Sequence, residues 1–316
     1  MPKDRAPVSP ETIWPTPRGD SAGVPGAQPI GRILVGAGRL SATDAMRVLQ
    51  VSNREKTPFG ETALRMGLVA RDDIRFALAR QFSLPQLAPD DESLSREVLA
   101  AYSENHPTVE QLRGLRSQII ELSSSSTRTH PMVAVLSSNR GDGRSFVAAN
   151  LAVLFAQLRV RTLLIDADLR NPSQHRHFKL ENRLGLSSIL AGRTGTEVVH
   201  VVPSLPQLYV LTAGAIPPNP LELLSQPTFK LVLEAADAEF KAIVIDTPAA
   251  DQGADGRVIA CSVGSGVLVA RVDNTSVALT TKFVQELLWL NARLLGVVYN
   301  ANRAPVNGKT SKKEIE

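Results

Sequence analysis

From Met132 onward the chain alternates short apolar runs with helical stretches. The runs are Val133–Leu136, Thr162–Ile165, Leu208–Leu211, Ala242–Ile245, Gly266–Ala270 and Leu295–Tyr299. Continuous apolar runs of this kind suit strands buried on both faces. With helices between them, they predict an α/β fold: a doubly wound, mostly parallel sheet. Ligands of such sheets bind beyond the carboxyl ends of the strands, so the polar residues following each run are where chemistry is expected.

The earlier part of the chain reads differently. Residues 1–28 are broken by Pro2, Pro7, Pro10, Pro15, Pro17 and Pro25 and read as a disordered arm. Residues 29–87 hold a repeat, in which Ile30-Gly31-Arg32-Ile33-Leu34 through Ser41 is echoed by Phe59-Gly60-Glu61-Thr62-Ala63 through Ala70. Each copy continues into a helical pattern, Asp44 to Leu49 and Asp72 to Gln81, with Ser41 as an N-cap and Gly38 and Gly67 as helix stops. Two such copies predict a small helical unit with one core. Residues 88–106 read as a linker with one short helix, in which Tyr102 lies exposed. Val109, Leu112, Leu115, Ile119 and Leu122 are spaced for an amphipathic helix over Thr108–Leu122. The P-loop domain is expected over 107–303, and residues 304–316 as a flexible, solvated tail.

Composition narrows the function classes. Lys and Arg exceed Asp and Glu by 35 to 31, too little to argue for nucleic-acid binding. Cys261 is the only cysteine, which excludes an intrachain disulfide and suits a reducing cytoplasm. No stretch approaches the ~18–20 apolar residues of a membrane helix, and Met1–Asp20 lacks the apolar core of a signal peptide. A cytoplasmic protein is expected, reaching a membrane through a partner or its surface.

The first strand runs into Ser137-Ser138-Asn139-Arg140-Gly141-Asp142-Gly143-Arg144-Ser145, followed by a helix from Phe146 to Gln157. Strand, glycine loop and helix are the setting of a phosphate-binding loop. Glycines let backbone N–H groups curl around phosphate oxygens, and the helix N-terminus adds partial positive charge. Ser145 stands where a loop hydroxyl ligates Mg²⁺. Ser138 replaces the first loop glycine and Arg144 the usual lysine; Arg keeps the charge but is bulkier and forked. A glycine turn before a buried helix is the other reading of these residues alone.

Two apolar runs end in carboxylates, Ile165-Asp166-Ala167-Asp168 and Ile245-Asp246-Thr247-Pro248. Mg²⁺ takes oxygen ligands and retains waters, so one hydroxyl and one or two carboxylates suffice; strand-end caps are the alternative. Asp168 could accept a hydroxyl proton in the cleft, or form a salt bridge with Arg170.

Together these residues resemble the bacterial tyrosine kinases of capsule and exopolysaccharide systems. The match over about 107–300 includes 137–145, Asn150-Leu151-Ala152, Leu164-Ile165-Asp166-Ala167-Asp168-Leu169-Arg170-x-Pro172, His175 and Phe178. It continues through Gly185-Leu186-Ser187, Leu190-Ala191-Gly192, Gly214-x-x-Pro217-Pro218-Asn219-Pro220-x-Glu222-Leu223-Leu224 and Asp246-Thr247-Pro248. The repeat module resembles the N-terminal domain of type II secretion ATPases, and the pair resembles the chain-length-determinant tyrosine kinase subgroup, in which a Gly-Arg-Ser loop is a family variant. Relatives of the N-terminal domain bind cyclic di-GMP through an Arg before each Ile/Leu-Gly pair and a closing Gln. Here those Arg positions hold Pro29 and Pro58 and only Gln81 remains, so an interaction module is expected rather than a cyclic di-GMP site.

The resemblance implies ATP and Mg²⁺ as cofactors. Asn139, Arg140, Gly141, Asp142, Gly143, Arg144, Ser145 and Phe146 would bind nucleotide, with Asn300 at the adenine; on bare physics Asn300 is a turn residue. Ser145, Asp166 and Asp246 would organise Mg²⁺, Arg144 and Asp166 would act in catalysis, and Asp168 would be the base. Glu110-x-x-Arg113-x-x-Arg116 matches the family's oligomerisation motif and implies a homo-oligomer; a solvated charged face is the alternative. A membrane polysaccharide co-polymerase is the implied partner. The family's C-terminal tyrosine cluster is missing from Arg303–Glu316, and the chain has only Tyr102, Tyr209 and Tyr299, the last two expected in the core. Three functions follow: a tyrosine kinase acting on Tyr102 or on other proteins, a weakly catalytic nucleotide switch resembling partitioning and septum-site ATPases, or a chain dominated by its N-terminal module.

Overall fold

The computed structural model describes residues 29–82, 87, 91–103, 106–124, 130–194 and 198–301. The arm expected over 1–28 and the tail over 304–316 lie outside the described residues. The chain divides into two compact units near Pro85 and Gln86.

The first unit is the repeat. Helices α1 (Ile30–Gly36) and α2 (Ala42–Glu55) form one copy, and α3 (Phe59–Arg65) and α4 (Arg71–Phe82) the other. Helix α1 packs on α4 and α2 on α3, so the two copies interlock. Their shared core uses matching places in each copy: Leu34 and Ala63, Leu40 and Val69, Val48 and Ala77. Ser41 caps α2, its hydroxyl accepting from Asp44 N at 3.0 Å.

The second unit runs through α5 (Leu99–Tyr102), α6 (Pro107–Ser124), β1 (Met132–Ser137), α7 (Arg144–Ala156), β2 (Thr162–Asp166), α8 (Gln174–His177), α9 (Leu186–Leu190) and β3 (Val199–Val201). It continues with β4 (Leu208–Leu211), α10 (Pro220–Leu224), α11 (Pro227–Glu239), β5 (Ala242–Asp246), α12 (Asp255–Val263), β6 (Ser265–Arg271), α13 (Val277–Trp289) and β7 (Arg293–Asn300). The seven strands lie in the order β3-β4-β2-β5-β1-β6-β7. Six are parallel and correspond to the six apolar runs; β3 pairs antiparallel with β4 at the edge.

Alternation along each strand divides the core in two. Ala134, Leu136, Ile243 and Ile245 face one layer with α9 to α13, while Val133, Val135 and Val244 face the other with α5, α6 and α7. Helix α7 is buried almost all round. That is why its sequence is apolar without a polar stripe.

The stretch expected as a linker is part of this second layer. Leu94, Val98, Ala100 and Ala101 are buried. Asn150 on α7 ties the segment down: Oδ1 accepts from Ala100 N at 2.8 Å, and Nδ2 donates to Glu97 O at 2.9 Å and to Phe146 O at 2.9 Å. Alanine pairs and isolated valines carry little periodic signal, so the sequence shows the one short helix but not the buried amide that anchors the segment.

The tyrosines also change places. Tyr102 is half-buried, its hydroxyl donates to Leu94 O at 2.7 Å, and the Arg96 guanidinium lies over its ring at 4.6 Å. Tyr299, expected in the core, is 68% exposed because β7 is the outer strand. Only Tyr209 is buried as expected.

Replacing Asn150 with Ala leaves a buried amide and carbonyl without partners. Urea unfolding should show a loss of about 2–3 kcal/mol; an unchanged midpoint would mean the 91–103 segment is not fastened through this residue.

Candidate functional site

The loop between β1 and α7 is built before any ligand arrives. Gly141 and Gly143 take φ of +86° and +101°, a region that side chains resist. At Gly143 there is also no room, since a Cβ would stand 2.6 Å from Asn300 Nδ2. The buried Asp142 is the hub. Its Oδ2 accepts from Asn139 N at 3.0 Å, and its Oδ1 from Asn274 Nδ2 and Thr275 Oγ1, both at 2.7 Å. Its carbonyl accepts from Asn300 Nδ2 at 3.0 Å. Ser276 N donates to Asn139 Oδ1 at 2.9 Å, and Arg271 to Gly141 O at 2.9 Å. The segment after β6 therefore straps the loop, while α7 presents its first amides beyond it.

Parallel pairing sets Asp166 beside Asp246 at the ends of β2 and β5. Both are fully buried. Asp166 Oδ2 accepts from Ser173 N at 3.0 Å and Gln174 N at 2.9 Å, and Oδ1 from Asp168 N at 3.2 Å. Burial, then the charge of Asp246, still push its pKa well above the usual carboxylate range. Asp246 is pushed up to about 6 by burial, against the pull of the Arg144 charge and of hydrogen bonding by Ser145 and Gln174. Its Oδ2 accepts from Gln174 Nε2 at 2.7 Å, while Oδ1 is buried and makes no hydrogen bond of good geometry.

An orphaned carboxylate oxygen beside a serine hydroxyl and a second carboxylate fits a hydrated Mg²⁺. Among the described residues no group of three or more His, Cys, Asp and Glu could cage a metal. The fit is therefore to an ion that keeps waters and takes phosphate oxygens.

Arg144 is folded inward, 6% exposed. Nε donates to Thr247 O at 2.6 Å, one terminal nitrogen to Ser137 Oγ at 2.6 Å, and the other lies 3.5 Å from Asp168 Oδ2. Asp168 thus pairs with Arg144 and not with Arg170, whose Nε meets the buried Asp255 at 3.1 Å. Arg170 N and Asn171 N hold Asp168 Oδ1 at 3.2 and 2.8 Å. Oδ2 is the oxygen turned to the loop cation.

The structure brings together Asn139 to Ser145, Asp166, Asp168, Asp246 and Asn300. Phe146 lies in the first turn of α7 and packs partly buried against the second core layer. Glu110, Arg113 and Arg116 stand apart on α6. Arg113 pairs with Glu110 at 3.0 Å, and Arg116 turns toward α7, donating to Leu154 O at 2.8 Å. Sequence reasoning missed Gln174, which touches Ser145 O, Asp246 and Asp166 at once. It also missed Asp142 as the hub and Asn274-Thr275-Ser276 as the strap. Polar residues just after a strand were the available signal for the strap.

No protein-family model matches the chain. The tyrosine-protein kinase YwqD of Bacillus subtilis is 36% identical over 210 residues, covering 66% of this chain and 88% of the relative. The chain belongs to the bacterial tyrosine-protein kinase family. Among solved structures, the chimerical protein CapA2B2 superposes with a TM-score of 0.61 at 31% identity, over 71% of this chain and 96% of the other. The kinase domain of the Escherichia coli tyrosine kinase ETK gives 0.60 at 30% identity, over 67% and 84%. Some members are much longer: the tyrosine-protein kinase ptk of Acinetobacter johnsonii is 35% identical over 178 residues, 56% of this chain but 24% of that one.

Burial raises the folded-state pKa of Asp246 from the ordinary 3.8 to about 6, so stability falls as pH rises between those values and the full cost is present above about 6. Asp246→Asn should therefore raise the melting temperature of the nucleotide-free kinase at pH 8, by the equivalent of about 1–3 kcal/mol, while weakening Mg²⁺-dependent nucleotide affinity. A lowered melting temperature with nucleotide affinity intact would reject this account of the residue.

Proposed function

We propose that the chain is an ATP- and Mg²⁺-dependent protein-tyrosine kinase that regulates exopolysaccharide chain length and export through a membrane co-polymerase partner. The observation that carries the nucleotide reading is the strapped loop facing two buried carboxylates whose charge is only partly compensated. Amides of 141–145 and the start of α7 would hold the phosphates, with Ser145, Asp246 and Asp166 holding Mg²⁺ and its waters. The ion would supply positive charge against the phosphates. Arg144 would leave Asp168 for the phosphates, freeing Asp168 Oδ2 to take the phenol proton. The phenol oxygen then forms its bond to the γ-phosphorus as the bond to the bridging oxygen of ADP breaks. Acceptor tyrosines lie on partners or on Tyr299, since the Tyr102 hydroxyl is engaged and Tyr209 is buried.

The partner reading is supported by similarity to the CapA2B2 chimera. No described helix is long and apolar enough to cross a membrane, so such a link would run through the partner. The repeat module is read as an interaction unit and not as a cyclic di-GMP site. Self-association is read through Glu110, whose side chain is 72% exposed. Arg116 is committed within the fold, so its loss would act on stability.

The second reading, a weakly catalytic nucleotide switch, is favoured by one feature. Arg144 is tied down on all sides and blocks the candidate base.

Incubation of the chain with ATP and Mg²⁺, read by phosphosite mass spectrometry, separates the two. Phosphotyrosine on Tyr299 or an added partner, lost in Asp168→Ala, is the kinase outcome. Nucleotide binding with no phosphotyrosine on either is the switch outcome. In sedimentation, Glu110→Ala should shift the protein to smaller species without lowering its melting temperature; an unchanged size would remove Glu110 from the interface.

A further inference from the structure

Beside the loop, on the side of β2 and β4, lies a second cleft, which shares only Arg140 with the residues of the nucleotide reading. Arg140, Arg170, His175 and Arg176 line it, with Asn182 and Ile216 on the facing wall. The wall is fixed: Asn182 Nδ2 donates to Gly214 O at 3.1 Å and Oδ1 accepts from Gly214 N at 2.8 Å. Among the described residues no acidic side chain lines the cleft. Of its three guanidinium groups only that of Arg170 has an ion-pair partner among the described residues, the buried Asp255 at 3.1 Å. His175 Nδ1 is buried without a hydrogen-bond partner, and burial and the Arg176 charge lower the ring's pKa, so the imidazole is neutral and adds hydrogen-bonding capacity rather than charge. Ile216 is an exposed aliphatic side chain at the rim.

The cleft is one turn from the chemistry. The backbone N–H groups of Arg170 and Asn171, two of its lining residues, are the groups that hold Asp168 Oδ1. A phenol delivered to Asp168 Oδ2 from this side would bring its flanking residues over the arginines and its ring near Ile216. The loop's other side is taken by Asn274, Thr275 and Asn300.

We propose that this cleft is the substrate-segment site of the kinase and that it selects a tyrosine flanked by acidic residues. The inference rests on the kinase reading above and adds the substrate class. Glutamate or aspartate on either side of the tyrosine would meet unpaired guanidinium groups, and lysine or arginine there would be repelled. Residues 303–316, with no tyrosine and more Lys and Arg than Glu, are a poor match for the site.

The test uses the full chain with ATP and Mg²⁺ and two peptides of equal length, one tyrosine flanked by glutamates and one by lysines. The glutamate peptide should show a kcat/KM roughly tenfold higher, the scale of two or three partly exposed ion pairs. High salt should erode the difference. Arg176→Glu should abolish the preference and Arg176→Lys should keep most of it, with ATP affinity the same in both. Equal use of the two peptides, preference for the lysine peptide, or an Arg176→Glu variant that loses ATP affinity in step would overturn the proposal. Anisotropy of the labelled peptides with ADP and Mg²⁺ present separates the two readings. Charge-selective binding without phosphotransfer upholds the cleft and sinks the kinase; phosphotransfer without charge selection does the reverse.

Discussion

Two buried carboxylates whose charge the fold offsets only in part stand at the ends of neighbouring strands. Asp166 and Asp246 are in register, fully buried and held by amides that reduce but do not cancel the cost of their charge. Much of the surrounding architecture follows from that constraint. Gln174 bridges them to the first turn of α7, Arg144 turns inward to the residue after Asp246, and the loop before α7 is cross-braced from β6 and β7. A site that is unfavourable when empty is suited to a cation and phosphates, because binding relieves a penalty already present in the fold.

Arginine has three different uses in this chain, and position alone does not separate them. Arg144 is buried and points at a carbonyl, a hydroxyl and a carboxylate in turn. Arg116 closes the end of a helix within the same chain. Arg176 remains open to solvent. A forked cation can satisfy several acceptors inside a protein where a point-like ammonium would satisfy fewer, which is how a loop arginine is tolerated where lysine is usual.

Six strands and the loop were legible because they follow from local rules: unbroken apolar runs, glycines before a helix, and aspartates ending strands. The short β3 was not, since Val199-His200-Val201 is too brief to show a period and forms only because Leu208–Leu211 offers an edge. The short helix of the 91–103 segment was legible, but its anchoring was not, for a related reason. Its order comes from Asn150, about fifty residues away, and nothing local announces that. Tyr299 was misplaced because an apolar run does not say whether its strand is central or outermost. Gln174 was invisible as a site residue because its role comes from three contacts that only the folded chain assembles.

The amide of Asn300 couples the outermost strand to the phosphate loop through the carbonyl of Asp142. A sheet edge is ordinarily the first part of a fold to fray, but here fraying would remove the brace beneath Gly143. Hydrogen exchange at the end of β7 and in the loop would then proceed as one opening unit and not as two, so an edge strand sets how often the phosphate cradle loses its shape.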